Sequence, residues 1–458
     1  SDRCGTCHAA VTEEWKSSMH AQAASDKSYQ TNINLLAEKM GMPATRYCEG
    51  CHAPIALLSG ELTTGGKLDT YGHMVEGVGC MGCHGIDRVV HLKGVASYNA
   101  APKNDYLFAD SDNWLATKLH NYLIRIQPRS HRIDMNRPII SQAEFCATCH
   151  TQFMDKDINN WGWVKMQDEY SAWLNSPYSG QSTHEFSDQQ ITRCQDCHFP
   201  LEDIDDPSAD KNGLTRSHRS LGANTAIPFY TGDKEQLRLT TEFLQADKVR
   251  INIEKPNRSD ATHSHKYVSP EISLTQESPA YYYLNEEVSL NVIVTNANVG
   301  HDFPGGSTDI NEVWIHLKVV DAQNSVIYES GALTENNDVD PSAQFYLSIP
   351  IDRQGQHVWK HDLFNTVGDS YKKIIKAGDS DIVFYDFTIP SWAKGPVTIS
   401  STVRYRKFNN RYARWALEDD TIKLPIVDMA RDAVTIPIRK KYEVETSVYA
   451  PERPDETS

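Results

Sequence analysis

Ten cysteines fall into five Cys-x-x-Cys-His motifs with none left over: Cys4, Cys7 and His8; Cys48, Cys51 and His52; Cys80, Cys83 and His84; Cys146, Cys149 and His150; Cys194, Cys197 and His198. Two thiols three residues apart can reach the two vinyl-derived carbons of one haem, and the adjacent imidazole then lies under the iron as proximal ligand. Zinc sites use thiols two pairs at a time, which strands one pair and leaves five histidines unexplained. A disulfide framework does not demand histidine after every pair, and a thioredoxin-like redox motif occurs once. The motifs therefore predict five covalently bound haem c groups. Thioether attachment takes place outside the cytoplasm, so the chain is expected to be exported, to an extracellular or cell-surface location first and the periplasm second. It opens at Ser1 without a methionine or an apolar signal segment, which reads as a processed mature form.

Eighteen histidines less five proximal ligands leave thirteen, and seven of these lie in the haem-bearing region: His20, His73, His91, His120, His131, His184 and His218. Five irons need at most five more ligands, so full bis-histidine coordination is within reach; it implies six-coordinate, low-potential, electron-transfer haems. Met19, Met74 and Met135 sit close to candidate histidines and would raise the potential if they ligated, but methionine is ordinarily a core filler.

Several segments resemble multihaem c-type cytochromes, the group that includes the tetrahaem electron acceptor of hydroxylamine oxidoreductase and many extracellular cytochromes. Trp15-Lys16-Ser17-Ser18-Met19-His20 is similar to that family's Trp-x-x-Ser-x-His segment, and Gly77-Val78-Gly79 before the third motif, with His91 after it, to its haem motif followed by a distal ligand. His131 ahead of Phe145 and Cys146, Trp173 to Tyr178 ahead of Cys194, and His218-Arg219-Ser220-Leu221-Gly222 fit further such elements. Asn296 to Gly306 and Val403 to Phe408 extend the likeness beyond the haem motifs. The resemblance implies His20, His91, His131, His218 and His301 as distal iron ligands, with His73, His120 and His184 in reserve. Each has a plain alternative as a half-buried histidine bonded to a carbonyl.

The elements that must position these groups change character along the chain. Spacers of 39, 27, 61 and 43 residues separate the motifs, with helical stretches at Thr31 to Gly41 and Asp112 to Ile126 and irregular chain between. That suits a region whose core is filled by macrocycles. Asp233 to Ala246 reads as a helix and Val249 to Ile253 as the strand leaving it. Beyond it the apolar pattern turns to period two at Val288 to Val294, Val313 to Val319, Ile382 to Ile389 and Val397 to Val403, separated by Gly, Asn, Asp and Pro turns. The expected fold is α+β: a haem-packed domain over residues 1–225, a helix and strand connector over 226–270, an antiparallel β-sandwich over 271–442 and a polar tail over 443–458.

No nucleophile elbow, P-loop or dinucleotide fingerprint lies in the sandwich, and Tyr281-Tyr282-Tyr283 reads as a strand edge. His301 sits in a Gly/Pro-rich turn that could fold back to cap an iron and lock the two domains together. His263 and His265 share one face of an extended segment, where an exposed strand or a metal site would both fit. The acidic loop Asp203 to Asp210 offers carboxylates for calcium without the EF-hand order.

Lys plus Arg number 45 against 61 Asp plus Glu, a net charge of −16 that disfavours nucleic acid as a partner and suits a basic protein or a metal-oxide surface. No stretch approaches the ~20 apolar residues of a membrane span. Two functions from different classes follow. One is an electron carrier, working by haem-to-haem hopping between redox partner proteins or an extracellular acceptor. In that role the first motif, beginning at Cys4, would put one haem near a chain end, where it can meet the next subunit of a homo-oligomer or filament. The other is a haem oxidoreductase acting on a small nitrogen or sulfur compound at one open iron. Ammonia-forming nitrite reductase, also pentahaem, carries a Cys-x-x-Cys-Lys motif absent here. A surface-binding redox module is a third reading.

Overall fold

The computed structural model describes residues 1–60, 62, 76–101, 106–109, 111–181, 191–256 and 280–439. His73, Met74, His184, His263, His265 and the tail from residue 440 lie outside them.

Short helices and hairpins build the first half. The helices that matter for the site are α1 (Lys27–Met40), α2 (Met42–His52) and α3 (Trp114–Ile126). Asp26 caps α1 by accepting from the backbone of Ser28 and Tyr29, and Gly41, at φ +83°, ends it in a conformation that few side chains tolerate. Apolar packing here is sparse: one small cluster gathers Ala24, Tyr29, Ile33, Ala53, Ala56 and Leu62, another Ala143, Ala147, Tyr170 and Trp173. Helix α4 (Lys234–Gln245) leads into strand β1 (Val249–Ile253).

The second half is an antiparallel sandwich. One sheet runs β4 (Val326–Ser330), β3 (Glu312–Val320), β7 (Val397–Arg406), β8 (Val427–Ile436), with β5 (Gln344–Tyr346) also on β3; the other runs β6 (Ser380–Thr388), β2 (Glu287–Asn296), β1. Alternate residues of both sheets, such as Val288, Leu290, Val292 and Val294 against Val313, Ile315, Leu317 and Val319, form one continuous core. The connector strand is thus an edge of the second sheet. Tyr282 and Tyr283 pair with Ile438 and Arg439, a short strand pair at the margin of the sandwich. The fold is α+β, as the change of periodicity implies.

One element of the second half departs from the β pattern. Helix α5 (Asn410–Leu417) leaves the sandwich and lies on α1, where Thr31 donates to the Ala416 carbonyl and Lys27 to that of Leu417. Among the described residues no helix is long and apolar enough to cross a membrane.

Candidate haem sites

Every motif begins in a helix: the second, third and fifth lie wholly within one, and the first and fourth run out of its C-terminal end. Where both cysteines are helical, residues i and i+3 share a face, so the two thiols point the same way and the histidine closes the helix. The helices are Asp2–Gly5, α2, Cys80–His84, Ala143–Ala147 and Cys194–His198. Thiols of different motifs meet: Cys4 with Cys80, Cys51 with Cys149, and Cys146 with Cys194. Cys83 also feels the charge of Cys149. The first motif therefore neighbours the third, and the second, third and fifth all border the fourth.

Three predicted distal histidines each face a motif histidine. His8 and His131 have ring centroids 6.3 Å apart with planes at 18°, His84 and His218 are 6.3 Å apart at 20°, and His150 and His20 are 6.2 Å apart at 86°. Two imidazoles bound by nitrogen to opposite sides of one metal, at a metal–nitrogen length of about 2 Å, place their centroids about 6 Å apart. The spacing fits an iron between each pair.

Nδ1 partners decide which nitrogen is presented, since an Nδ1–H donated to an acceptor leaves Nε2 as the lone-pair face. His8 bonds Asp206 at 2.8 Å, His84 the Met135 carbonyl at 2.6 Å, His198 the Leu221 carbonyl at 2.6 Å, His218 the Arg216 carbonyl at 2.8 Å and His301 the Asp302 carbonyl at 2.9 Å. Burial pushes the pKa of His20 down to about 3 and that of His198 to about 4, with neighbouring histidines adding to both, and it lowers those of His52, His84, His131 and His218. Neutral imidazole is the form that binds metal. The residues fit haem c, whose bound iron would supply one-electron exchange; the chain would supply attachment and axial nitrogen.

The segment carrying His20 is fixed by contacts that explain its motif. Trp15 Nε1 donates to the Val78 carbonyl at 2.9 Å, and Ser18 caps the following turn by accepting from Ala21. Gly77 is required by close approach: a Cβ there would lie 2.3 Å from the His20 carbonyl oxygen.

The remaining candidates differ. His301 bonds the Asp302 carbonyl through Nδ1, and among the histidines its charge weighs most on His198. The Nδ1 of His91 accepts from the Lys93 backbone at 3.4 Å, opposite to the five histidines above whose Nδ1 has an oxygen partner. Its ring is not brought against a motif histidine. His120 bonds the Leu107 carbonyl at 3.0 Å and stands behind Tyr106, which itself touches His131. Met135 contributes its backbone to His84. In the acidic loop, Asp206 turns inward to His8 and Ser208, while Asp210 accepts from the Asn212 and Leu214 backbones. His52 stacks on Tyr29, centroids 4.3 Å apart, with its Nδ1 3.3 Å from the Ala23 carbonyl.

Comparison with known proteins agrees with this geometry. Residues 3–85 match the family described as cytochrome c554 and c-prime. Cytochrome c-554 of Nitrosomonas europaea is 33% identical over 93 residues, which are 19% of this chain and 37% of that relative, so the chain spans little more than a third of its length. The penta-haem cytochrome c552 from Thermochromatium tepidum superposes with a TM-score of 0.57 at 16% identity, covering 94% of this chain and 98% of that one, a shared fold that includes the strand-rich half. The five motifs and the matched segment agree, and on that ground the chain is a multihaem c-type cytochrome.

Proposed function

We propose that this cytochrome is an exported pentahaem electron carrier. The observation that supports it best is the facing of imidazoles, His8 with His131, His84 with His218 and His150 with His20, because iron closed on both sides exchanges electrons without binding substrate. His198 with His301 extends the set, and His8, His52, His84, His150 and His198 are the proximal ligands. Contacts between motifs supply the route: the first hands to the third, the third to the fourth, and the fourth borders the second and the fifth. The haem-bearing part is residues 1–225, and the sandwich covers it and presents it to partners.

The deciding measurement is spin state. Electron paramagnetic resonance of the oxidised holoprotein should show low-spin iron throughout, and carbon monoxide should leave the reduced spectrum unchanged. A high-spin signal with carbon monoxide binding favours the second reading, a haem oxidoreductase of a small nitrogen or sulfur compound. That reading draws on His52, whose ring contact is a tyrosine face.

The setting proposed is extracellular, with the subunit able to polymerise. Support comes from α3, whose Asn121 and Arg125 reach Thr6 and Cys7 of the first motif while Leu115, Leu119, Tyr122 and Ile126, on another face, are exposed to between 43% and 61%. An uncovered apolar stripe beside a terminal haem suits a second copy of the chain. Electron microscopy of concentrated holoprotein tests this: filaments support it, and monomers throughout overturn it.

A further inference from the structure

We propose that His361, in the strand-rich half, is the second axial ligand of the iron held by His52. This rests on the reading that the second motif carries a haem.

Three observations converge. The first is tautomer: His361 Nδ1 is 2.8 Å from Asp309 Oδ2, and the Asp309 carboxylate is only 9% exposed. A carboxylate on Nδ1 fixes the ring, raises its basicity and leaves Nε2 free, which is how metal-bound histidines are usually held. His316, by contrast, spends its Nε2 on Glu329 at 3.0 Å.

The second is placement. The segment after His361 is docked on the helices that build the second motif. Asp362 forms an ion pair with Lys39 near the end of α1, and Phe364 lies edge to face with Tyr47 of α2 at 5.5 Å. Tyr47 precedes His52 by five residues, about 7.5 Å along the helix axis.

The third is backbone. His361 has φ +55°, a left-handed conformation uncommon for residues with a Cβ, in which histidine is among the more frequent, and such positions gather at functional sites. Ion pair, ring contact and carboxylate together hold it there. With His361 in place every motif histidine has a partner, and two of the five partners, His301 and His361, come from the second half of the chain.

The test is spectroscopic. Mass spectrometry of the peptide containing Cys48 and Cys51 first establishes whether it carries haem; a bare peptide sinks the underlying reading and with it the proposal. If haem is present, His361→Ala should convert one haem equivalent from low to high spin and let it bind carbon monoxide, and added imidazole should restore low spin to His361→Gly. Asp309→Asn should keep low spin but raise the midpoint potential of that one haem. His91→Ala should change neither. A wild-type protein already holding one high-spin haem that His361→Ala leaves unaltered, an unchanged His361→Ala spectrum, or a high-spin signal from His91→Ala would each overturn the assignment. Should His361→Ala fail to assemble, Asp309→Asn decides: an unshifted set of five potentials counts against the proposal.

Discussion

His84 and His218 face each other at 6.3 Å with planes 20° apart, although one closes the third motif and the other follows the fifth. Each donates its Nδ1–H to a backbone carbonyl, Met135 for one and Arg216 for the other, which leaves Nε2 of both as the lone-pair nitrogen. His218 is held further by its own N–H, which donates to Glu14 at 2.7 Å. Replacing His218 with methionine keeps six coordination but exchanges imidazole for a weaker donor that favours ferrous iron. His218→Met should therefore retain five low-spin haems and raise one midpoint potential by on the order of 0.1–0.2 V, within the ~0.8 V range that axial ligation spans. Spectroelectrochemical titration checks it, and five unmoved potentials would remove His218 from the ligand set.

The three facing pairs differ in twist. His8 with His131 and His84 with His218 are nearly parallel, at 18° and 20°, whereas His20 and His150 cross at 86°. Parallel imidazole planes split the two iron d orbitals of π symmetry, and crossed planes leave them close in energy. The oxidised protein should accordingly give rhombic low-spin signals from the first and third haems and a strongly anisotropic one from the fourth. His20→Ala should abolish only the anisotropic component. Loss of a rhombic signal in that variant would show that His20 serves another iron.

Stability of the sandwich depends on a charge pair inside it. Arg406 is fully buried, bonding Glu312 through two nitrogens and the Asn337 carbonyl at 2.9 Å, and its guanidinium lies over Trp314. Burial pushes the Glu312 pKa up even with Arg406 beside it. Arg406→Met strands that carboxylate and should cost about 3–5 kcal/mol, whereas Arg406→Met with Glu312→Met removes both charges and should recover most of the loss. Denaturant melts of the three proteins measure the difference. A double variant no more stable than the single would mean that Arg406 acts through its packing on Trp314.

Much of this molecule is legible in its residue types. The five motifs stand out because thioether attachment demands a fixed spacing, and the strands at Val288, Val313, Ile382 and Val397 stand out because one sheet face is buried. Helix α3 is found from its apolar periodicity, and His20 from the tryptophan and serine that fix its segment. Long-range partners are not local properties, so His361 escapes: it sits in a polar loop, and its signals are a distant carboxylate at Asp309 and a left-handed φ. Helix α5 escapes for a similar reason. Its eight residues are apolar along one stripe, Tyr412, Ala413, Ala416 and Leu417, and it is buried against α1 from the other end of the chain. His91 shows the converse: proximity to a motif in sequence suggests a ligand, while its Nδ1 accepts from the Lys93 backbone.

Acid should loosen the fourth haem site through Asp168, at the end of the strand Val164–Asp168. Its carboxylate caps the helix Glu169–Leu174 by accepting from the Ser171 backbone at 2.9 Å and takes a 2.8 Å ion pair from Lys165. The same turn lets the Glu169 backbone donate to the His150 carbonyl, while Trp173, one turn on, packs near Ala147 and Cys194. Burial alone would raise the Asp168 pKa, but Lys165 and Ser171 outweigh it and hold it below the ordinary 3.8. A carboxyl with a folded pKa below its unfolded value stabilises the fold above the unfolded pKa, and that contribution fades as pH falls through the folded one. Asp168→Asn keeps the cap and loses the charge, so it should cost on the order of 1 kcal/mol at neutral pH and progressively less below pH 3.8. Denaturation of both proteins against pH, read at the haem absorbance, measures this, and a constant gap between the two curves down to strong acid would show that the Asp168 charge does not hold the site.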